Sequence, residues 1–224
     1  IVIIAVGFLV MKNNNVPIEP VSTATGTQMC FYREVNTVQG FKDVTSLTMH
    51  IKDATVTGEL SNYPAEKDSK IGPFAGTVGE VDDTSMERTA SVWWEATGEG
   101  VTNKEELTVK FGEGTARIGF GEMVLGANGI YMYKDASKVD YSLELSDISC
   151  EMLFEMVAVE SYVKANIGYL AKDVATMGGT WRVLSTDVDT EKNTVEVSYE
   201  DGHDAKKETF SYTREGNVVE IVKE

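Results

Sequence analysis

Two cysteines, Cys30 and Cys150, are the first residues able to do chemistry, because outside a reducing compartment a lone pair of thiols tends to oxidise. A bridge between them closes a loop of about 120 residues, for which the chain-entropy model gives a little under ~5 kcal/mol. The alternative is two buried free thiols. A redox-active pair is not indicated, since no Cys-x-x-Cys occurs. Trp93 and Trp94 are adjacent in the strand-like run Arg88-Thr89-Ala90-Ser91-Val92-Trp93-Trp94-Glu95. Neighbours in a strand point to opposite faces. Trp94 then joins Ala90 and Val92 in a core. Trp93 joins Thr89, Ser91 and Glu95 on a polar face, where it either floors a ligand site by stacking or packs against a barrel end or a second domain. Glu122 alternates with Ile118 and Phe120, which puts a carboxylate on a nominally inward face. A buried carboxylate needs a cation, and Arg88 or Arg117 is the expected partner. Trp93, Glu122 and Arg88 are therefore the expected ligand-binding residues, at the mouth of a barrel.

Other acid-rich stretches carry less. Asp187, Asp189, Glu191 and Asn193 echo a calcium loop, but Lys192 stands where the sixth-position glycine belongs and Ser198 where the closing glutamate belongs. The segment reads as a hairpin turn. There is no Gly-x-Ser-x-Gly, His-Glu-x-x-His or Walker-type loop, and Gly119-Phe120-Gly121 has Val124 where a dinucleotide fingerprint needs its third glycine. No catalytic residue, cofactor or metal site is expected. A carboxylate-pair hydrolase stays open only because acids are abundant; nothing selects a pair.

Composition narrows the partners. Among 224 residues are 36 acids and 20 bases, a net charge of −16. Such a surface repels phosphate backbones, so no nucleic acid is expected. Hydrophobic content of 42% with 25% charged residues is that of a globular chain rather than a disordered one.

The elements that must position these residues follow from period. Leu47, Met49 and Ile51; Val56, Gly58 and Leu60; Leu107, Val109 and Phe111; and Tyr141, Leu143 and Leu145 each alternate with polar residues, the mark of half-buried strands. Turns at 52–54, 112–114 and 126–129 separate them. Residues 29–149 read as an antiparallel meander of about eight or nine strands, a barrel rather than a sandwich because closure removes exposed edges. In residues 150–224, Met152, Met156, Val159, Val163, Ile167 and Leu170 form one helical stripe, with Ser149 at the N-cap. Four strands follow, with Trp181, Val183, Val195, Val197, Tyr199, Phe210, Tyr212, Val219 and Ile221 facing inward and Asp201-Gly202 at a turn. The fold class is thus mainly β, a barrel or sandwich followed by a small α+β unit. One helix across a four-stranded sheet resembles the cystatin-like arrangement, a likeness of fold alone.

The start of the chain supplies an address. Ile1–Val10 is an unbroken apolar run, too short for the roughly 20 residues of a spanning helix. Residues 1–12 read as the remnant of a signal anchor or transmembrane segment, and residues 13–28, with two prolines, as a linker. The expectation is a membrane-anchored extracytoplasmic protein of the cell envelope, contacting the membrane through this N-terminal segment. It would act as a non-catalytic binding module for a small molecule, glycan or protein. The rival expectations are a structural or surface-assembly component and a hydrolase of envelope polymers.

Overall fold

The computed structural model describes residues 26–38, 42–65, 67–176, 179–216 and 218–222. The expected anchor, residues 1–12, lies outside the described residues, as does nearly all of the expected linker; its last two residues already belong to the first strand. The strands are β1 (Thr27–Asn36), β2 (Lys42–Lys52), β3 (Thr55–Tyr63), β4 (Lys70–Val78), β5 (Arg88–Gly98), β6 (Val101–Gly112), β7 (Thr115–Phe120), β8 (Met123–Leu125), β9 (Tyr131–Tyr133) and β10 (Asp140–Ile148). Helix α1 (Cys150–Leu170) follows, then β11 (Arg182–Asp189), β12 (Thr194–Glu200), β13 (Ala205–Glu215) and β14 (Val218–Val222).

Strands β1 to β7 pair in sequence order, and β10 lies between β7 and β1, closing an eight-stranded antiparallel barrel. The expected alternation holds. Leu47, Val56, Leu60, Leu107, Val109 and Leu145 are buried in its core with Phe31, Phe74 and Ile118. The turns Glu99-Gly100 and Glu113-Gly114 have positive φ at both central residues, the geometry whose twist matches the flanking strands. Between β7 and β10 the chain leaves the barrel wall as a small β8–β9 hairpin. It rests on β6 through a parallel pairing of Glu105 with Tyr131.

The second unit is the expected helix on a four-stranded antiparallel sheet, ordered β11-β12-β13-β14. Its core joins Val159, Val163, Ile167 and Leu170 of α1 to Val195, Val197, Tyr199, Phe210 and Tyr212 of the sheet. The first helical turn departs from expectation. Leu153 is buried, whereas Met152 is exposed and Met156 only half-buried. At 3.6 residues per turn Met152 is in phase with Val159 and Leu153 is not, so the first turn buries a different face from the rest of the helix. Ser149 occupies the N-cap position, but its carbonyl, not its side chain, accepts a bond, from Leu153 N–H at 3.0 Å.

Candidate functional site

The barrel interior is filled by side chains. Trp94, Leu47, Leu60, Met49, Ile118 and Leu145 are each 1% exposed or less. Eight strands leave an interior that side chains can occupy completely. The end of the barrel next to the β8–β9 hairpin is closed by Lys70, which donates to Glu105 at 2.6 Å and lies 5.9 Å from the Trp94 ring centroid. A shallow cavity of about 130 Å³ remains there, lined by Phe120, Met123 and Tyr133 among others.

The two tryptophans divide as their parity requires. Trp94 is 1% exposed, and its indole N–H donates to the Gly72 carbonyl at 3.0 Å. Trp93 is 38% exposed on the outer wall, and its indole makes no hydrogen bond among the described residues. The other two expected site residues are not brought to it. Arg88 shares the inward parity of Trp94 but opens β5 at the far end of the barrel, where its Nε donates to the Gly79 carbonyl at 2.9 Å. Glu122 does not face inward. Strand β7 ends at Phe120, and the chain then turns into the hairpin. The Glu122 side chain is 71% exposed and pairs with Lys134 at 2.6 Å. Register places Arg88 beside Phe111 and Phe111 beside Ala116. The end of β7 at Phe120 is already four residues beyond Ala116, roughly 13 Å along the wall at ~3.3 Å per residue, and Glu122 lies past it. Arg117 is likewise engaged elsewhere, bidentate to Glu87 at 2.5 Å. The three-residue site expected at the barrel mouth is thus not assembled. Parity does not carry to Glu122, because the strand stops before Gly121.

What surrounds Trp93 is a different arrangement. Ala75 of β4 and Glu106 of β6 flank it directly in register, so one side is low and apolar and the other carries a carboxylate. Glu106 accepts the Tyr133 N–H at 3.0 Å, which holds the hairpin against the wall. Further along the same face, Lys104 lies 4.0 Å from Glu95, and the Thr97 and Thr102 hydroxyls bond at 2.8 Å. An aromatic ring open to solvent on the barrel wall, bordered by carboxylates and hydroxyls, can stack on one face of a planar or ring-shaped ligand while polar neighbours bond its rim.

Where the two units meet, Cys30 and Cys150 form the expected disulfide, with Cα atoms 5.2 Å apart. Phe31 points into the barrel, so Cys30 faces outward, and α1 covers it. Lys42 adds a polar clasp, bonding Glu34 at 2.6 Å and Asp187 of β11 at 3.1 Å. Lys164 of α1 sits 5.3 Å from the Tyr63 ring centroid. Burial pulls the Lys42 ammonium down, but its bonds to Glu34 and Asp187 outweigh this and leave it raised. Burial, then the Glu34 charge, push the Tyr32 phenol up. A cleft of about 300 Å³ opens between the end of β1–β2 and the sheet.

Asp187 thus serves the junction rather than a calcium loop. The segment is the hairpin turn its sequence indicated: Asp189 accepts the Glu191 and Lys192 N–H groups, and Asn193 takes a positive φ at the end of the turn. The Asp201-Gly202 signal also marks a turn, with Gly202 at φ +90°. Asp201 does more there than the turn requires. It accepts N–H groups from His203 at 2.9 Å and Asp204 at 2.8 Å, and from Thr176 in the segment after α1. The Asp204 and Thr176 N–H groups lower its pKa to about 2. A depressed carboxylate stabilises the fold above its unfolded value and ceases to do so as pH falls through the folded value. Asp201→Asn is therefore expected to be less stable than the parent at neutral pH. The gap should close between about pH 4 and pH 2 in urea melts; a gap independent of pH would refute this role.

The architecture defines a class by shape: an eight-stranded antiparallel barrel whose first strand is cross-linked to a helix-on-sheet unit. Comparison with known proteins finds no matching family model, no matching curated protein and no matching solved structure.

Proposed function

We propose that the chain is a non-catalytic, membrane-tethered, extracytoplasmic module of the cell envelope that binds a glycan on the outer wall of its barrel. The observation that carries this is the exposure of Trp93, at 38%, beside a partner tryptophan that is fully buried. A solid barrel core moves the ligand to the outside. Glu95 and Glu106 supply acceptors for hydroxyls, and the net charge of −16 favours a neutral or basic sugar over an anionic one. The disulfide supports an oxidising setting. The tether rests on the apolar run Ile1–Val10; among the described residues no helix is long and apolar enough to cross a membrane.

The test is tryptophan fluorescence titration with neutral and basic oligosaccharides, including chitooligosaccharides and their deacetylated forms. One of these is expected to quench saturably, and in calorimetry, which does not need Trp93 as its reporter, Trp93→Ala should weaken its binding by roughly thirtyfold, the effect of losing a tryptophan anchor of about 2 kcal/mol. Saturable binding that survives Trp93→Ala sinks the assignment. A second reading, a component of a larger envelope assembly, draws on Phe154 and Val157, apolar and exposed one turn apart on α1. It predicts a partner protein bound through the helix and lost in Phe154→Glu.

A further inference from the structure

We propose that the cleft between the barrel and the sheet is a second binding site, for a small zwitterion such as a free amino acid or a short peptide with free termini. It is separate from the Trp93 face, and either can fail without the other. The cleft has about 300 Å³, enough for a solute of this size, and residues of both units line it.

Its charges alternate. On the barrel side Glu34 and Lys42 stand together, and Lys42 reaches across to Asp187. On the sheet side Lys207 pairs with Glu196 at 2.6 Å, on the outer face opposite the helix. Between these pairs lie the Asn36 amide and the Ser185 and Ser198 hydroxyls. Such a lining selects by elimination. An apolar solute would strip several charged groups of water and return no hydrogen bonds, at a cost of kilocalories per group. A polyanion meets three carboxylates, and a polycation meets two ammonium groups. A neutral sugar would want an aromatic floor, and among the described residues no aromatic side chain lines this cleft. A solute with one ammonium and one carboxylate satisfies both signs at once. Its carboxylate takes the place of Asp187 or Glu196 beside a lysine, and its ammonium pairs with the carboxylate so released.

The pairs it would exchange are accessible enough to open. The Asp187 side chain is 59% exposed and Lys207 62%. Lys42 is more enclosed, at 17%, but it keeps its bond to Glu34 when Asp187 swings away, and an ion pair with an exposed member contributes little to stability.

The experiment is isothermal titration of the full chain with glycine, L-lysine, L-glutamate, dialanine, and dialanine blocked as its N-acetyl amide. At least one unblocked compound is expected to bind saturably and the blocked dipeptide not at all. Asp187→Asn and Lys207→Ala should each weaken binding by roughly tenfold. Trp93→Ala should leave it unchanged. Unaltered thermal melts of both cleft variants, expected from their exposure, separate loss of ligand contacts from loss of fold. Absence of saturable binding by every unblocked compound, equal binding of the blocked dipeptide, or undiminished affinity in both cleft variants overturns the proposal. Binding of free amino acids but not dialanine identifies the source as the single residue, and the reverse identifies it as a peptide end.

Discussion

Replacing both cysteines by serine is expected to lower the urea midpoint of the chain more than any surface substitution, by up to about 5 kcal/mol of unfolding free energy. Loop length is one reason: the bonded residues are 120 positions apart, and the entropic gain rises with loop size. Position is the other. A barrel is only as closed as its last seam. Here β1 pairs with β2 over ten registered positions, but with β10 over three: Cys30 with Ile148, Phe31 with Asp147 and Tyr32 with Ser146. Cys30 therefore stands on the shortest seam of the wall, and Cys150 follows two residues after its partner Ile148. The bond holds β1 to the end of β10 where backbone pairing is least. Without it, the seam can part and leave two strand edges open to other chains. The double variant should also aggregate on heating and exchange the amide protons of β1 and β10 faster than those of β3 to β5. The slope of the urea transition should rise, because an uncrosslinked unfolded chain exposes more surface. Unreduced and reduced parent protein with the same midpoint and the same β1 protection would show that the seam needs no cross-link.

The legible part of the fold was the part written in alternation. Strands β2, β6 and β10 carry runs of large apolar side chains at alternate positions, β3 does so but for Gly58, and each appears where that pattern lies. Strand β4 has no such pattern. Two of its inward positions are Gly72 and Gly76, and Pro73 lies between inward residues, so it reads as a breaker. The glycine is needed there. A Cβ on Gly72 would come 1.9 Å from the Glu95 carbonyl oxygen, so the wall approaches too closely at that point for any side chain. A contact of this kind depends on the neighbouring strand and leaves no mark in local sequence. The same limit explains Glu122. The chain could have run on through Gly121 as one strand, but it turns into a hairpin held by pairings with residues about ten positions further on, the Lys134 N–H to the Glu122 carbonyl among them. Trp93 was placed correctly on its face because parity is a local property. Its supposed companions were not, because bringing three side chains together is a property of the closed barrel.

Trp94→Ala is expected to cost about 3–5 kcal/mol, a large part of the 5–15 kcal/mol that holds a domain of this kind together. Trp94 is 1% exposed and heads the fully buried side chains by volume. It faces the interior between Phe74 of β4 and Glu105 of β6, its registered neighbours, with the Lys70 ammonium 5.9 Å from its ring centroid. Truncation leaves a cavity that the rigid wall cannot collapse into, and it also strands the Gly72 carbonyl that received the indole N–H. Trp94→Phe retains most of the volume but not the donor, and should fall between parent and alanine variant. Trp93→Ala, one residue away, should shift the midpoint by no more than about 0.5 kcal/mol, because its ring lies on the outer wall with solvent on one side. The contrast between neighbours is the informative quantity. Urea unfolding of the three variants, followed by far-UV circular dichroism so that tryptophan loss does not bias the signal, measures it. A barrel with space at its centre would tolerate Trp94→Ala nearly as well as Trp93→Ala. In that case the ligand would belong inside, and the outer wall would lose its claim to the site.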